Sequence, residues 1–309
     1  MLQRAIGQLS VSVVGIGCNN FGRRLDRAAT AAVVDAAIDA EVNFFDTADL
    51  YGGTDSEVFL GAALGRRRDQ VVIATKFGMP LDDERYGAAP DYVVRALEDS
   101  LTRLGTDHVD LYQLHAPDPT VPVGETLAAL QAQVAAGKVR ELGCSNFSPA
   151  QLAEAAAAAG DVPGFVSVQN QYSLLWREPE QGTLEACDAL GMAFLPYYPL
   201  ANGLLTGKYR AGEPLPEGSR LALMANGDPA RAGHWLSEEV LAKTERVLEL
   251  AASSGVAVLD LAFTWLLSHH QVASVIAGAS RPEQVRANVA AAQATVSPEL
   301  LAELDALTA

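Results

Sequence analysis

The sequence predicts an α/β protein with a parallel sheet, because short apolar segments alternate with helix-like segments along the whole chain. The apolar segments are runs of Val, Ile, Leu and Phe without polar alternation, which is typical of parallel strands covered on both faces. Eight such segments within 309 residues indicate either a (β/α)8 barrel or a doubly wound sheet. No linker-like stretch divides the chain, so we expect one domain over residues 1–309.

The predicted elements follow one another at regular spacing. Strands are expected at 13–17, 42–46, 71–76, 109–114, 141–145, 165–170, 193–197 and 273–277. The clearest amphipathic helices are expected at 28–40, 90–104, 124–136 and 282–294. Near the start, Gly7 separates two short apolar runs, and this predicts a small β-hairpin that closes the bottom of a barrel.

The segment 198–236, after the seventh strand, is much longer than an ordinary connection. It has little hydrophobic periodicity and contains several Gly and Pro residues. Its basic and aromatic residues favour a functional lid over a disordered loop.

The charge balance restricts the class of partner. The chain has 22 Lys and Arg against 38 Asp and Glu, a net charge of −16, which argues against nucleic acid or an anionic membrane as partner. The start of the chain lacks the features of a signal peptide, and no apolar run reaches the length of a membrane span. Cys18, Cys144 and Cys187 show no CxxC spacing and are interpreted as reduced thiols of a cytoplasmic protein.

Polar or aromatic residues end the predicted strands one after another. They are Asp46, Lys76, His115, Ser145 with Asn146, Gln169 with Asn170, and Tyr197. If the strands form a barrel, these residues meet at the end where the active site of such a barrel lies.

The residue types at these positions suggest acid–base chemistry. A lysine at the end of an apolar strand needs a carboxylate nearby, and Asp46 is the candidate partner of Lys76. Tyr51 lies five residues beyond Asp46, and a nearby cation lowers the pKa of a phenol. We therefore expect Lys76 to make Tyr51 a usable general acid, and His115 to donate a hydrogen bond to the same carbonyl oxygen.

Each of these residues also has an ordinary structural interpretation. Asp46 could begin a loop or cap a helix, Tyr51 could be a packing residue, and His115 could be a structural histidine. Their joint occurrence in strand order favours a functional site. A metal site is the rival use of Asp and His, but the chain has no HxH or HExxH motif, so we expect no metal.

Seven runs of the sequence resemble the successive signatures of aldo-keto reductases: NFFDTADLYG, ATKFG, DLYQLHAPD, GKVRELGCSNF, VQNQYSLL, PLANGLLTGKY and VIAGASRPEQVRAN. They occur in the family's order and cover essentially the whole chain. The resemblance implies a (β/α)8 TIM barrel with a short N-terminal hairpin, a long loop after strand 7, and NADP(H) as cofactor. It also implies a catalytic tetrad in which Tyr51 donates the proton, Lys76 tunes it, Asp46 anchors Lys76, and His115 orients the carbonyl.

The resemblance further implies contacts to the cofactor. The implied residues at the nicotinamide end are Asp46, Ser145, Asn146, Gln169 and Tyr197, the last of which stacks on the ring. The implied residues at the pyrophosphate and at the adenosine phosphate are Leu200, Lys208, Ser280, Arg281, Gln284 and Asn288.

Two features near the last strand bear on the cofactor. A helix N-terminus after this strand is a ready anion site. Ser280 to Glu283 fits an S-x-x-E capping box, which would by itself explain Ser280. No comparable structural role explains Arg281, which therefore predicts a preference for NADPH over NADH. Arg220 in the segment 198–236 is a candidate for a second cation.

The sequence departs from the family pattern at two positions. Many relatives carry Ser in place of Tyr198 and Glu in place of Ala287. Both changes bear on cofactor affinity and leave the tetrad intact.

The expected function is reversible reduction of an aldehyde or ketone to an alcohol with NADPH, with hydride from the nicotinamide and the proton from Tyr51. One alternative is a low-turnover redox-sensing or regulatory subunit like the β subunits of potassium channels, which carry Asn in place of His115. A metal-dependent barrel hydrolase is disfavoured by the missing ligand motifs. Substrate specificity is expected from loop residues at 19–21, 77–86, 116–122, Trp176 and Trp235.

Overall fold

The computed structural model describes residues 1–210 and 212–309. In this part of the chain, eight parallel strands close into a barrel, and the last of them pairs with the first. The (β/α)8 barrel is therefore confirmed, and the doubly wound sheet is not formed. A hairpin of β1 (Gln3–Ile6) and β2 (Leu9–Ser12) precedes the barrel strands β3 (Val14–Gly17), β4 (Phe44–Asp46), β5 (Val72–Phe77), β6 (Val109–Leu114), β7 (Val139–Ser145), β8 (Phe165–Gln171), β9 (Ala193–Tyr197) and β10 (Val275–Ala277).

Helices follow most of the barrel strands and surround the barrel. They are α1 (Arg27–Asp39), α2 (Asp55–Leu64), α3 (Pro90–Leu104), α4 (Val123–Ala135), α5 (Pro149–Ala159), α6 (Thr183–Leu190), α7 (Arg220–Gly227), α8 (Pro229–Trp235), α9 (Glu238–Ser254), α10 (Val258–Ser268), α11 (Pro282–Ala292) and α12 (Pro298–Thr308).

Helix α3 occupies the residues at which the sequence pattern predicts a helix. It begins with Pro90 at its first position and ends before Gly105, which adopts the left-handed conformation. Val93, Leu97 and Leu101 are buried at helical spacing, so one apolar face packs on the barrel.

The predicted N-terminal hairpin is confirmed, and it closes one end of the barrel. Its two strands are antiparallel, with Ile6 opposite Leu9. Ile6, Leu9 and Val11 are buried and belong to the same apolar cluster as Phe44 and Leu111 of the barrel strands. The amino ends of the strands are therefore covered, and the opposite end remains for a site.

The long connection after the seventh barrel strand is present and contains structure that the sequence pattern did not reveal. Residues 201–206 form a 3₁₀ turn, and α7 and α8 follow. Ser219 and Asp228 cap these two helices through their side chains. Helices of eight and seven residues are too short to show a clear hydrophobic period. We call residues 198–236 the lid segment.

The described residues include no single helix long and apolar enough to cross a membrane. The pair α9 and α10, bent by 104°, meets those length and composition criteria only when the two helices are taken together.

Candidate active site

A cavity of about 1350 Å³ opens where the barrel strands end. It is larger than the roughly 300–1,000 Å³ of an ordinary small-molecule pocket. Every residue that the sequence suggested for catalysis or cofactor binding lines it, with the exception of Lys76. Lys76 is fully buried and contacts two of the lining residues, Asp46 and Tyr51.

The centre of the site is a buried ion pair between two neighbouring strands. Lys76 of β5 donates from Nζ to Oδ2 of Asp46 at 2.6 Å and to the Thr47 carbonyl at 2.8 Å. Burial alone lowers the pKa of Lys76, but the charge of Asp46 and the hydrogen bonds to Asp46 and Tyr51 raise it above its ordinary value. The ammonium therefore stays charged in an apolar surrounding.

Asp46 is held by two glutamines as well as by the lysine. Its Oδ1 accepts hydrogen bonds from Nε2 of Gln113 at 3.1 Å and from Nε2 of Gln169 at 2.8 Å. Gln169 was among the predicted residues, whereas Gln113 was missed. Its signal was a second polar side chain, besides Asp110, in a strand whose residues are all buried.

Tyr51 reaches the same lysine from the loop after β4. Lys76 donates from Nζ to the Tyr51 hydroxyl at 3.5 Å and lies 4.9 Å from the ring centroid. Gly52 makes this position possible, because it has a φ of 62° and a Cβ there would lie 2.4 Å from the Phe21 carbonyl. The chain turns sharply after Tyr51, and α2 begins at Asp55.

The expected lowering of the Tyr51 pKa is wrong for this structure. Burial raises the pKa of Tyr51 to about 12, and the opposing effect of Lys76 is smaller and partly cancelled by Asp46. The phenol thus keeps its proton throughout the physiological pH range. The sequence indicated that Lys76 lies near Tyr51, but it did not show how strongly burial acts on the phenol.

His115 lies beside Tyr51 at the end of β6. The two ring centroids are 5.8 Å apart and the ring planes are nearly perpendicular, at 77°. Burial and, to a smaller extent, the charge of Lys76 lower the pKa of His115 to about 3. Its imidazole is neutral, and Nδ1 has no hydrogen-bond partner within the described chain.

Four further predicted residues form a connected polar wall next to the histidine. Asn146 donates from Nδ2 to the His115 carbonyl at 2.8 Å and accepts at Oδ1 from the Tyr197 hydroxyl at 2.9 Å. Ser145 donates from its hydroxyl to the Gln169 carbonyl at 2.7 Å. These bonds fix the side chains that face the cavity at the ends of β7, β8 and β9.

The far end of the cavity is formed by the loop after β10 and the start of α11. Its predicted residues Ser280, Arg281, Gln284 and Asn288 all line the cavity. The capping box expected at Ser280 to Glu283 is absent: α11 begins at Pro282, Arg281 occupies the N-cap position, and no side chain caps the helix. The backbone N–H and the hydroxyl of Ser280 both contact Oε1 of Gln284, at 2.7 and 3.0 Å.

The cavity concentrates positive charge in an acidic protein. None of its six cationic lining residues forms an ion pair within the described chain, whereas arginines and lysines elsewhere, such as Arg67, Arg85 and Lys138, pair with carboxylates. These residues are Arg23, Arg24, Lys208, Arg220, Arg231 and Arg281. With a net charge of −16 overall, six cations without a carboxylate partner around one cavity indicate an anionic ligand.

Asn202 is a second sign that this wall is built for a ligand. It is buried, lines the cavity and has a φ of 56°, and neither polar atom of its amide has a hydrogen-bond partner within the described residues. Buried polar atoms are nearly always bonded, so these atoms are suited to a bound molecule. Asn202 was not predicted from the sequence, although it lies between the predicted residues Leu200 and Lys208 and next to a glycine.

The donor set fits an elongated dinucleotide. Amide and hydroxyl groups lie at the ends of β7 and β8, the Asn202 amide and three cations belong to the lid segment, and Arg281 lies at the start of α11. No group of three His, Cys, Asp or Glu side chains arranged for a metal ion occurs among the residues described.

Comparison with known proteins agrees with this class of site. The profile of the Aldo/keto reductase family matches residues 13–309. The chain is 34% identical over 298 residues to the "Probable voltage-gated potassium channel subunit beta" of Oryza sativa subsp. japonica, with coverage of 93% of this chain and 89% of that protein.

Two bacterial proteins are similarly related. "Uncharacterized oxidoreductase YrpG" of Bacillus subtilis is 34% identical over 312 residues, covering 96% of this chain and 92% of that one. "L-glyceraldehyde 3-phosphate reductase" of Escherichia coli O157:H7 is 33% identical over 299 residues, covering 93% and 86%. The barrel and its site are thus those of an oxidoreductase. The chain belongs to the aldo/keto reductase family.

Proposed function

We propose that the protein reduces an aldehyde or ketone to the alcohol with NADPH, in a reversible reaction. The observation that carries the proposal is a protonated, half-buried Tyr51 hydroxyl at the cavity wall, with the Lys76 ammonium behind it and neutral His115 beside it. A bound reduced nicotinamide supplies the hydride that the carbonyl carbon takes up.

Tyr51 then donates its proton to the carbonyl oxygen. When the proton leaves, the phenolate oxygen faces the Lys76 ammonium, which already donates to that oxygen at 3.5 Å. The cation stabilises the new negative charge and so lowers the barrier for proton transfer. Asp46 keeps the lysine protonated and in position.

His115 orients the carbonyl group. As a neutral imidazole it donates one hydrogen bond to the substrate oxygen and adds no second positive charge beside Lys76. Because Tyr51 and His115 approach from two sides, the oxygen is held between two donors.

The other lining residues hold the cofactor. Ser145, Asn146 and Gln169 bind the nicotinamide carboxamide, and Tyr197 stacks on the ring. The lid segment contributes Leu200, Asn202 and Lys208 along the pyrophosphate. Ser280, Arg281, Gln284 and Asn288 surround the adenosine end, where Arg281 pairs with the 2′-phosphate and gives the preference for NADPH. The unpaired cations and the unbonded Asn202 amide support this placement.

A panel of aldehydes and ketones tests the function directly. We expect the purified protein to consume NADPH in their presence, measured by loss of NADPH absorbance, at the same rate with and without a chelator. A rate that a chelator abolishes contradicts the proposed chemistry.

The alternative is a regulatory subunit with little turnover, and two plant relatives carry the name of a potassium channel subunit. On that alternative, NADPH binds but no carbonyl compound of the panel is reduced. The phenol and imidazole arranged around Lys76 favour the enzyme.

A further inference from the structure

Tyr198 is an unusual residue at the reacting end of the cavity. It follows Tyr197 directly, its φ is 53°, and the two rings lie 5.1 Å apart and nearly perpendicular. A bulky aromatic residue adopts the left-handed conformation only when its surroundings hold it there. The contacts that hold Tyr198 are therefore informative.

Two arginines of the lid segment contact this tyrosine. Arg231 donates from Nη2 to the Tyr198 hydroxyl at 3.2 Å, and its guanidinium carbon lies 5.8 Å from the ring centroid. The guanidinium of Arg220 lies 4.7 Å from the same centroid. Tyr198 therefore stands between a cation on its ring and a cation at its hydroxyl.

Arg231 lies on helix α8, which is held in place by side-chain packing and by an N-terminal cap. On α8, Trp235 is buried, and His234 packs edge-on against Trp176 at 5.2 Å between ring centroids. Asp228 caps the helix at its start. Arg231 itself is exposed, lines the cavity and has no carboxylate partner within the described part of the chain.

The contacts of Arg231 place it near the reacting centre. Tyr198 packs on Tyr197, Tyr197 donates to Asn146, and Asn146 donates to the His115 carbonyl. Burial and, to a smaller extent, Tyr198 raise the pKa of Tyr197. The charge of Arg231 lowers this pKa, so Arg231 lies close enough to Tyr197 to affect its ionisation. Arg24 makes a different contact, because it donates to the Gly218 carbonyl at 2.7 Å.

We propose that Arg231, held in place by Tyr198, binds an anionic group of the substrate, so that the preferred substrates are carbonyl compounds bearing a carboxylate or a phosphate. This inference rests on the proposed reductase function. A guanidinium matches both anions through paired N–H donors. An acidic protein repels anionic molecules in general, so a substrate of this class needs a local cation to enter.

Substrate pairs that differ mainly in charge test the proposal. 4-Carboxybenzaldehyde and 4-nitrobenzaldehyde have nearly the same shape, and glyceraldehyde 3-phosphate and glyceraldehyde form the phosphate pair. We expect the ratio of kcat/KM for the charged over the neutral member to fall about tenfold in Arg231→Gln, through KM, in one or both pairs. Arg231→Lys should recover part of the ratio, and added salt should reduce the ratio of the wild type.

Two further variants make the test specific. Tyr198→Phe removes the hydroxyl that holds Arg231 and should lower the same ratio to a smaller extent. Arg66→Gln is the matched control, because Arg66 is an exposed arginine just before β5, at the opposite end of the barrel, and its removal should leave the ratio unchanged.

The dissociation constant of NADPH separates the two uses of a cation in this cavity. An unchanged ratio in Arg231→Gln overturns the inference. If the affinity for NADPH falls in that variant while the ratio is unchanged, Arg231 binds the cofactor instead of the substrate. If the wild type reduces none of the four aldehydes and no other carbonyl compound, the proposed function itself is wrong, and this inference with it.

Discussion

Replacing Asp46 with Asn removes the charge that neutralises Lys76 and changes the shape of the site very little. The ammonium is fully buried and would keep only neutral acceptors, among them the Thr47 carbonyl at 2.8 Å and the Tyr51 hydroxyl at 3.5 Å. A buried charge that loses its partner costs about 3–5 kcal/mol. The lysine can partly escape this cost by losing its proton. We therefore expect the free energy of unfolding of Asp46→Asn to be lower by about 3 kcal/mol near neutral pH.

The loss of stability in Asp46→Asn should become smaller as the pH rises. In the wild type Asp46 raises the pKa of Lys76 against the effect of burial, whereas in Asp46→Asn burial is opposed only by the contact with Tyr51 and lowers the pKa. The folded variant then binds fewer protons than the unfolded chain between the lowered pKa and about 10.4. Its stability relative to the wild type should therefore recover as the pH rises from about 7 to about 10.

Asp110→Asn is the matched control. Asp110 is also a buried strand carboxylate, and it accepts from Arg68 and Arg140 at 2.8 Å each, away from the cavity. Arginine keeps its proton at all these pH values, so this variant should lose stability without recovering at high pH and without losing turnover. Urea unfolding at three pH values, together with kcat for one aldehyde, measures both effects. An Asp46→Asn protein with the stability and turnover of the wild type would refute the role of the pair.

Three further predictions concern single residues. Lys76→Met should lower kcat by a factor on the order of 10² or more, because the phenolate loses its cation; a smaller loss in steady-state assays argues against that role. Arg281→Ala should raise the Kd for NADPH roughly ten- to a hundredfold and leave NADH nearly unchanged in fluorescence titrations; equal losses would show that Arg281 holds the loop. Because the pKa of His115 is lowered to about 3, its folded form resists protonation. Stability should fall as the pH drops below about 6.5, by about 2 kcal/mol at pH 5, and His115→Gln should remove that part of the loss in urea unfolding curves.

The barrel could be predicted because its determinants are local. Each apolar run of Val, Ile, Leu and Phe became a buried parallel strand, and α3 occupies the residues that its periodicity and its flanking Pro90 and Gly105 indicated. The strand limits differ from the expected ones by at most two residues. For example, β7 begins at Val139 because pairing with Val109 of β6 extends it past exposed Arg140.

The parts that were missed depend on contacts between distant segments. Gln113 reaches Asp46 only because the strand register sets it opposite Lys76, which no pattern within β6 reveals. The pKa of Tyr51 is dominated by burial, which the folded chain alone determines. Arg231 lies on a short helix whose place is fixed by packing on Trp176, so its approach to Tyr198 could not be read from spacing.

Proton donation by Tyr51 is the central claim, and Tyr51→Phe tests it most directly. The substitution removes the hydroxyl that faces Lys76 and keeps the ring that packs beside His115. The measurement is kcat for reduction of one aldehyde at saturating NADPH, with the Kd of NADPH as the control for folding and binding. We predict a fall in kcat by a factor on the order of 10² or more with an almost unchanged Kd. A variant that keeps nearly the wild-type kcat would contradict the account, because the proton would then come from another group.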